Sequence, residues 1–344
     1  MDRSDEPSTE AKLAFLRAGH PGCEVVETHM AWVLLDAVHA LKLKKPVRYP
    51  FLDFSTLAAR EADARAELRL NRRLASGVYL GLLALQWDGE RFALVPEDRL
   101  PGPGRTVDWL VLMRRLPAAR MLDHLLRDGV VEPARIDTLA DVLVDFYRRA
   151  PRAAVEADEL VARLREERRI DREVLTQPAF ALAEAPALLQ RFDAACSAAA
   201  PLLHERVRAG RIVEGHGDLR PEHVCLVEPP VVIDCLEFNA ALREVDPFEE
   251  LAFLGLECAL LGAPWVGPRL VARCGQALAD RPPAPLLDLY VARRALLRAR
   301  LAAAHLLEAA PRTPERWLPQ ARRYLARAQA ALDGFSAASP HGST

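Results

Sequence analysis

Between residues 214 and 226 the chain reads EGHGDLRPEHVCL, which sets His216, Asp218, Arg220, Glu222 and His223 between the apolar segments RIV and VCL. A second acid, Asp234, closes the apolar run VVID sixteen residues after Asp218. A short strand ahead of the first stretch and a hairpin behind it would present both carboxylates at one end of a small β insert. Carboxylates so paired suit phosphoryl transfer: one orients an acceptor hydroxyl and takes its proton, and the other holds Mg²⁺ on nucleotide phosphates. Positioned charge supplies most of that catalysis. The same residues have plainer uses. A buried Asp in a turn caps backbone N–H groups. His216, Asp218 and His223 also have the composition of a two-His, one-carboxylate iron site. Such triads sit on all-β jelly rolls with the last His far along the chain, and a five-residue gap after the Asp leaves little room for one.

The cations carry a second signal. Of 46 basic residues only Lys12, Lys42, Lys44 and Lys45 are lysines, and three of these fall in LKLKK. Lys is a compact point charge on a slim stem, whereas Arg is a planar fork. Either a site here refuses Arg, or the three cluster by chance on an exposed strand end.

The elements that must position these residues fall into two groups. Residues 1–20 read as a short helix or frayed arm. Residues 21–116 are strand-rich: CEVVET, AWVLLD and HALKLK are strands, with a tight turn near Asp36-Ala37. Ser55 or Thr56 caps a helix that ends near Gly77. VYLGLLALQWDGERFALV is a hairpin around Asp88-Gly89, and TVDWLVLMRRL is a last strand leaving the group. The expectation is five strands and one helix. Residues 117–335 are Ala/Leu/Arg-rich with helical spacing, interrupted by the β-rich insert, and 336–344 read as a disordered tail. The fold class is α+β, a small mixed lobe followed by a large mainly helical one.

HGDLRPEHV with VVIDCLEFN resembles the catalytic and metal-binding segments of the aminoglycoside phosphotransferase-like kinases. That superfamily includes choline, fructosamine and methylthioribose kinases and has a two-lobed protein-kinase-like fold. ETHMAWVLLDAVHALKLKKPVRYPFLDFSTL, AELRLNRRL and DWLVLMRRLP resemble a bacterial branch of uncharacterised members, often fused to a C-terminal P-loop kinase domain. No Gly-x-x-x-x-Gly-Lys-Ser/Thr occurs in this chain, so that partner domain is expected to be missing. The resemblance runs from about residue 20 to about 300. It implies a nucleotide-binding lobe over 21–116, a catalytic loop at 214–226 and a metal loop at 231–239.

Residue by residue, the resemblance makes Asp218 the catalytic base, His216 a brace for its loop, and Asp234 the principal Mg²⁺ ligand. It places Ala40 over adenine and Lys42 on the phosphates, with Lys44, on the same strand face, in reserve. Glu67 would orient the lysine. Leu112–Pro117 would be the hinge, with the backbone of Met113, Arg114 and Arg115 at the adenine edge. Asp246 would support the loop or simply cap a helix. The implied donor is ATP with Mg²⁺ or Mn²⁺, and the implied acceptor is a small-molecule hydroxyl. Two departures stand out. His223 occupies the position of the usual second metal ligand, an Asn, and imidazole suits Mn²⁺ or Zn²⁺ better than Mg²⁺. No glycine-rich loop joins the first two strands, which leaves Thr28, His29 and backbone N–H groups to cover phosphates. His223 also admits an alternative, a catalytically impaired pseudokinase that binds nucleotide and a protein partner.

Composition excludes other classes. A net charge of -2 gives no reason to expect a nucleic-acid or anionic-membrane partner. The six Cys are scattered without a Cys-x-x-Cys pair, as in a reduced cytoplasmic protein, and no apolar signal core or membrane-length run is present. From Glu257 onward twelve Arg face six acids, which favours an anionic acceptor over a polycationic one unless those Arg face solvent. Oligomeric state is not legible.

Overall fold

The structure, a computed structural model, describes residues 7–49, 52–308 and 311–338. Ser8 caps α1 (Thr9–Gly19) by accepting from the Ala11 amide. The strands β1 (Glu24–Glu27), β2 (Ala31–Leu35) and β3 (His39–Lys44) form a meander, followed by the ribbon β4 (Arg48–Tyr49) and β5 (Leu52–Asp53). Thr56, one of the two expected caps, starts α2 (Leu57–Ala75). Then come β6 (Tyr79–Trp87), β7 (Phe92–Pro96) and β8 (Arg105–Arg114), which complete an antiparallel sheet in the order β1-β2-β3-β8-β6-β7. The sheet has six strands, one for each of the six segments named from sequence, against the total of five that was expected. The edge strand β1, EVVE, carries glutamate at both ends, joins β2 through its backbone ladder and packs Val25 against the α1-side core. Turn chemistry is local: Asp36 Oδ1 accepts from the amides of Val38 and His39, and Asp88 Oδ1 from those of Glu90 and Arg91.

Period-2 alternation splits this sheet into two apolar faces. Leu41, Leu43 and Leu110 pack with Leu16 of α1, while Trp109, Val111 and Tyr79 pack with Ala64 and Ala75 of α2. The N-terminal helix is therefore core rather than a frayed arm; its Lys12 is buried against Asp108 at 3.0 Å. Since Leu41 and Leu43 take the α1 face, Lys42 and Lys44 take the α2 face.

The chain passes through α3 (Leu122–Arg127) into helices α4 (Pro133–Arg149), α5 (Ala157–Leu175) and α6 (Ala185–Arg208). The insert holds four two-residue strands, β9 (Val213–Glu214), β10 (Val224–Cys225), β11 (Val231–Val232) and β12 (Glu244–Val245). Helices α7 (Pro247–Leu260), α8 (Val266–Ala277), α9 (Ala284–Ala304) and α10 (Pro314–Ala338) follow. Residues 336–338, expected to open a disordered tail, belong to α10; residues 339–344 lie outside the described residues. Residues up to His124 together with Glu222–Leu242 form one compact unit, and Leu125–Pro221 with the chain from Arg243 form another. The metal loop thus belongs to the sheet unit, not to the helical one in which the sequence reading set it. The pairing also differs from expectation: β10 pairs with β11, but β9 pairs with β12, a strand the sequence reading did not foresee.

Candidate active site

Within the sheet unit, β3 alternation directs Lys42 and Lys44 to one carboxylate. Glu67, fully buried on α2, meets Lys42 Nζ with Oε1 at 2.8 Å and Lys44 Nζ with Oε2 at 2.7 Å. Lys42 Nζ also lies 3.1 Å from Asp234 Oδ1. Lys44 reaches Glu237 Oε1 at 2.5 Å and Asp63 one helical turn before Glu67. Burial alone would push the Lys42 ammonium down, but Asp234 and Glu67 reverse this and hold it well above the usual lysine value. Burial raises Glu237 to about 7 against the pull of Lys44. Asp63, Glu67 and Glu237 have the spacing of a metal trio, yet the Lys44 ammonium already contacts all three. Lys45 pairs with Glu27 at 2.6 Å and lies over Trp32. All four lysines are ion-paired, and the LKLKK cluster is not an exposed strand end.

Asp234 stands in the left-handed backbone region at φ +59°, where Asp is tolerated better than most side chains, and this ends β11. Its amide donates to Tyr79 Oη at 3.1 Å, and the next amide, of Cys235, donates to Asn71 Oδ1 at 2.8 Å. The Arg73 guanidinium lies 3.3 Å from Cys235 Sγ. Three side chains thus fix the loop from α2 and β6 while the Asp234 carboxylate stays 47% exposed. His223 is buried, its Nε2 3.5 Å from Asp234 Oδ2 and its carbonyl accepting from the Ile233 amide. An exposed carboxylate beside water fits a hard divalent cation. His223 faces that carboxylate as a neighbour that can orient it.

At the expected hinge two backbone amides are already engaged within the sheet unit. The amides of Arg114 and Arg115 donate to the carbonyls of Val78 (2.8 Å) and Val38 (2.7 Å), so neither is available to an adenine edge. Met113 is paired with Ala40 and Tyr79 inside the sheet. Thr28 Oγ1 accepts from Met30 and Ala31 and shapes the β1–β2 turn, on which Thr28 and His29 are both exposed.

In the helical unit, the segment after β9 is gripped by Glu250 of α7. Its Oε1 accepts from the amides of His216 (2.8 Å) and Gly217 (2.5 Å), and its Oε2 from Tyr147 Oη at 3.0 Å. A Cβ on Gly215 would come 2.8 Å from Glu250, and Gly217 has φ +89°. His216 is fully buried, and its Nδ1 accepts from the Asp218 amide at 3.3 Å, which implies the Nε2–H tautomer. Asp218 is 31% exposed, with Arg220 Nε 3.0 Å from its Oδ2. Asp246 caps α7 through the Phe248 amide and also accepts from Arg206 and Tyr290. The loop support expected of Asp246 comes instead from Glu250, four residues on.

The arginines of α9 are neither solvent-facing nor a free positive surface. Arg293 pairs with Glu167 and Glu249, Arg294 with Glu249, Arg298 with Glu257, and Arg300 with Asp171. All four acids lie on α5 and α7, and three of them, Glu167, Asp171 and Glu249, lie outside the segment whose charge the sequence count summed. The inference of an anionic acceptor drawn from that count therefore loses its basis.

A choline/ethanolamine kinase family protein of Mesorhizobium loti superposes with a TM-score of 0.55 at 16% identity, covering 95% of this chain and 96% of that one. Choline kinase LicA of Streptococcus pneumoniae gives 0.52 at 12% identity over 96% of this chain and 100% of its own, and its AMP complex gives 0.51. The chain has the protein-kinase-like fold of these small-molecule kinases. This is the fold that the resemblance to the aminoglycoside phosphotransferase-like kinases implied. An uncharacterised protein of Mycobacterium tuberculosis is 31% identical over 296 residues, 82% of this chain. The chain spans about half, 55%, of the length of that relative. No family model matches the sequence. Among the described residues no helix is long and apolar enough to cross a membrane.

The sequence reading missed Asn71, Arg73, Tyr79, Glu250 and Arg220. Asn71 had a signal, since it lies four residues after Glu67 on the same helix face. Glu250 had another: an acid in the apolar run PFEELAFL needs a buried partner.

Proposed function

We propose that the chain is an ATP-dependent phosphotransferase acting on a hydroxyl of a small molecule. The observation that carries this reading is the buried Lys42–Glu67 pair with Asp234 on its exposed side. A lysine held charged and aimed by a buried glutamate suits nucleotide phosphate oxygens, and the fold is that of kinases, one of them solved with AMP. Lys42 would bind phosphate oxygens, and Glu67 would keep it extended from the sheet. Asp234, an exposed carboxylate, would hold Mg²⁺, a hard cation that takes oxygen ligands. When bound, that ion supplies neutralisation of charge on the phosphates. Asp218 would orient the acceptor hydroxyl and take its proton, with Arg220 fixing its carboxylate and Glu250 fixing its loop. His223, beside Asp234, favours a second reading in which nucleotide binds but transfer is impaired.

Calorimetric titration of ATP with and without Mg²⁺ or Mn²⁺, followed by ADP release across a panel of hydroxyl metabolites, tests both readings. Metal-dependent binding with turnover supports the phosphotransferase. Binding without turnover, rescued in the His223→Asn variant, supports the impaired one. No nucleotide binding under any metal refutes both.

A further inference from the structure

We propose that Lys44 is an internal cation that fixes α2 to the loop carrying Asp234, and so acts as a positioning residue for Lys42. The inference deepens the phosphotransferase reading but stands on its own geometry. Lys44 is only 3% exposed, and its Nζ contacts Asp63, Glu67 and Glu237. The ammonium donates a hydrogen bond to Glu237 and is ion-paired with Asp63 and Glu67, so three separate carboxylates surround one point charge. Two of these acids lie one turn apart on α2, and the third lies three residues past Asp234. Lys44 is therefore the fastener between the helix and the loop.

Glu67 gives its other oxygen to Lys42. Whatever holds the first oxygen thus fixes the direction of the second, and with it the aim of Lys42. Without Lys44, three buried acids would remain against Lys42 alone, and a buried charge stripped of its partner is strongly destabilising. The residue type follows from the same geometry. This chain has 46 basic residues and only four lysines, yet it keeps Lys here. A planar guanidinium donates in one plane and needs more room than three converging carboxylates leave, whereas a point ammonium fits. Phe54, its ring centroid 5.2 Å from Nζ, closes the remaining side.

One carboxylate oxygen from each of Asp63, Glu67 and Glu237 lies within 4.8 Å of the other two. Removing the lysine side chain should therefore turn the trio into a site for an added divalent cation. The test is Mn²⁺ titration of nucleotide-free Lys44→Ala protein, followed by electron paramagnetic resonance, beside wild type and the double variant Lys44→Ala/Glu237→Gln. Lys44→Ala is expected to gain one Mn²⁺ site that wild type and the double variant lack. Filling it should raise the thermal midpoint. Before filling, the apparent KM for ATP should be about 10- to 100-fold above wild type, as for lost outer-shell partners, with kcat moved less. Lys44→Arg should not rescue. An unchanged KM in Lys44→Ala, or no added Mn²⁺ site, overturns the proposal. If Lys44→Ala does not fold, Glu237→Gln alone decides: a raised KM with near-normal kcat supports the fastener, and wild-type kinetics refute it. The Mn²⁺ readout needs no nucleotide, so it remains valid even if wild type binds none and the phosphotransferase reading fails.

Discussion

At the scale of single residues, the candidate base and its support make separable predictions. Asp218→Asn keeps the size of the side chain and removes its basicity. Turnover is expected to fall by about 10²- to 10⁴-fold, the usual contribution of general base catalysis, with ATP affinity nearly unchanged by calorimetry. Wild-type turnover in that variant would remove Asp218 from the role of base. Glu250→Gln tests the support. Glu250 accepts three hydrogen bonds, from His216, Gly217 and Tyr147, in a fully buried site. An amide there replaces three hydrogen bonds to a carboxylate by weaker neutral ones and reverses the bond to Tyr147, which costs about 1–3 kcal/mol. Thermal unfolding should show a midpoint lower by several degrees, and kcat should fall with it because the Asp218 backbone loosens. An unchanged midpoint would mean that the loop is held elsewhere.

At the scale of elements, what was legible in the sequence depended on whether the signal was local. Thr56 capping α2, the Asp36 turn and the Asp88 hairpin were readable because a side chain meets its own backbone two or three residues away. Lys42, Glu67, Asp218 and Asp234 were nameable because their segments resemble known ones, and the structure brings Lys42, Glu67 and Asp234 into contact. What failed was long-range. The pairing of β9 with β12 joins residues about thirty apart in two-residue strands, too short to show alternation. Three of the four acids paired with the α9 arginines, Glu167, Asp171 and Glu249, precede the counted segment, so a count along it does not find them. The hinge amides of Arg114 and Arg115 were spent on carbonyls of two other chain segments.

Helix crossing supplies the prediction at this scale. A Cβ on Gly255 of α7 would stand 2.6 Å from the Gly267 Cα of α8. Ala is the better helix former by about 1 kcal/mol. Overpacking a tight contact costs about 1–3 kcal/mol, and rigid backbone on the far side puts the cost at the upper end. Gly255→Ala should therefore lower the urea midpoint despite its helix propensity. A stabilised variant would show that the helices separate freely.

For the molecule as a whole, buried acids tie stability to pH. Burial pushes Asp171 of α5 up to about 7, Arg300 only partly offsetting it at 3.3 Å. Its ordinary value is 3.8. Between these values the folded state binds the proton more tightly than the unfolded chain, so stability from this group falls as pH rises through the window. One such proton gives a slope of at most about 1.4 kcal/mol per pH unit. Asp171→Asn should flatten the denaturation free energy between pH 4 and 7. An identical profile in the variant would mean that Asp171 stays ionised throughout.

The scarcity of lysine, described above as a matter of charge geometry, also makes the chain a selective reporter of its own opening. All four lysines lie within the first 45 residues, and each is tied into an ion pair of the sheet unit. A lysine-specific protease acting on native protein thus has substrates only where that unit has come apart, and it is blind to the helical unit. An arginine-specific protease, with 42 targets spread along the chain, reads both. The ratio of the two cleavage rates across denaturant would separate the opening of one unit from that of the other without any engineered label.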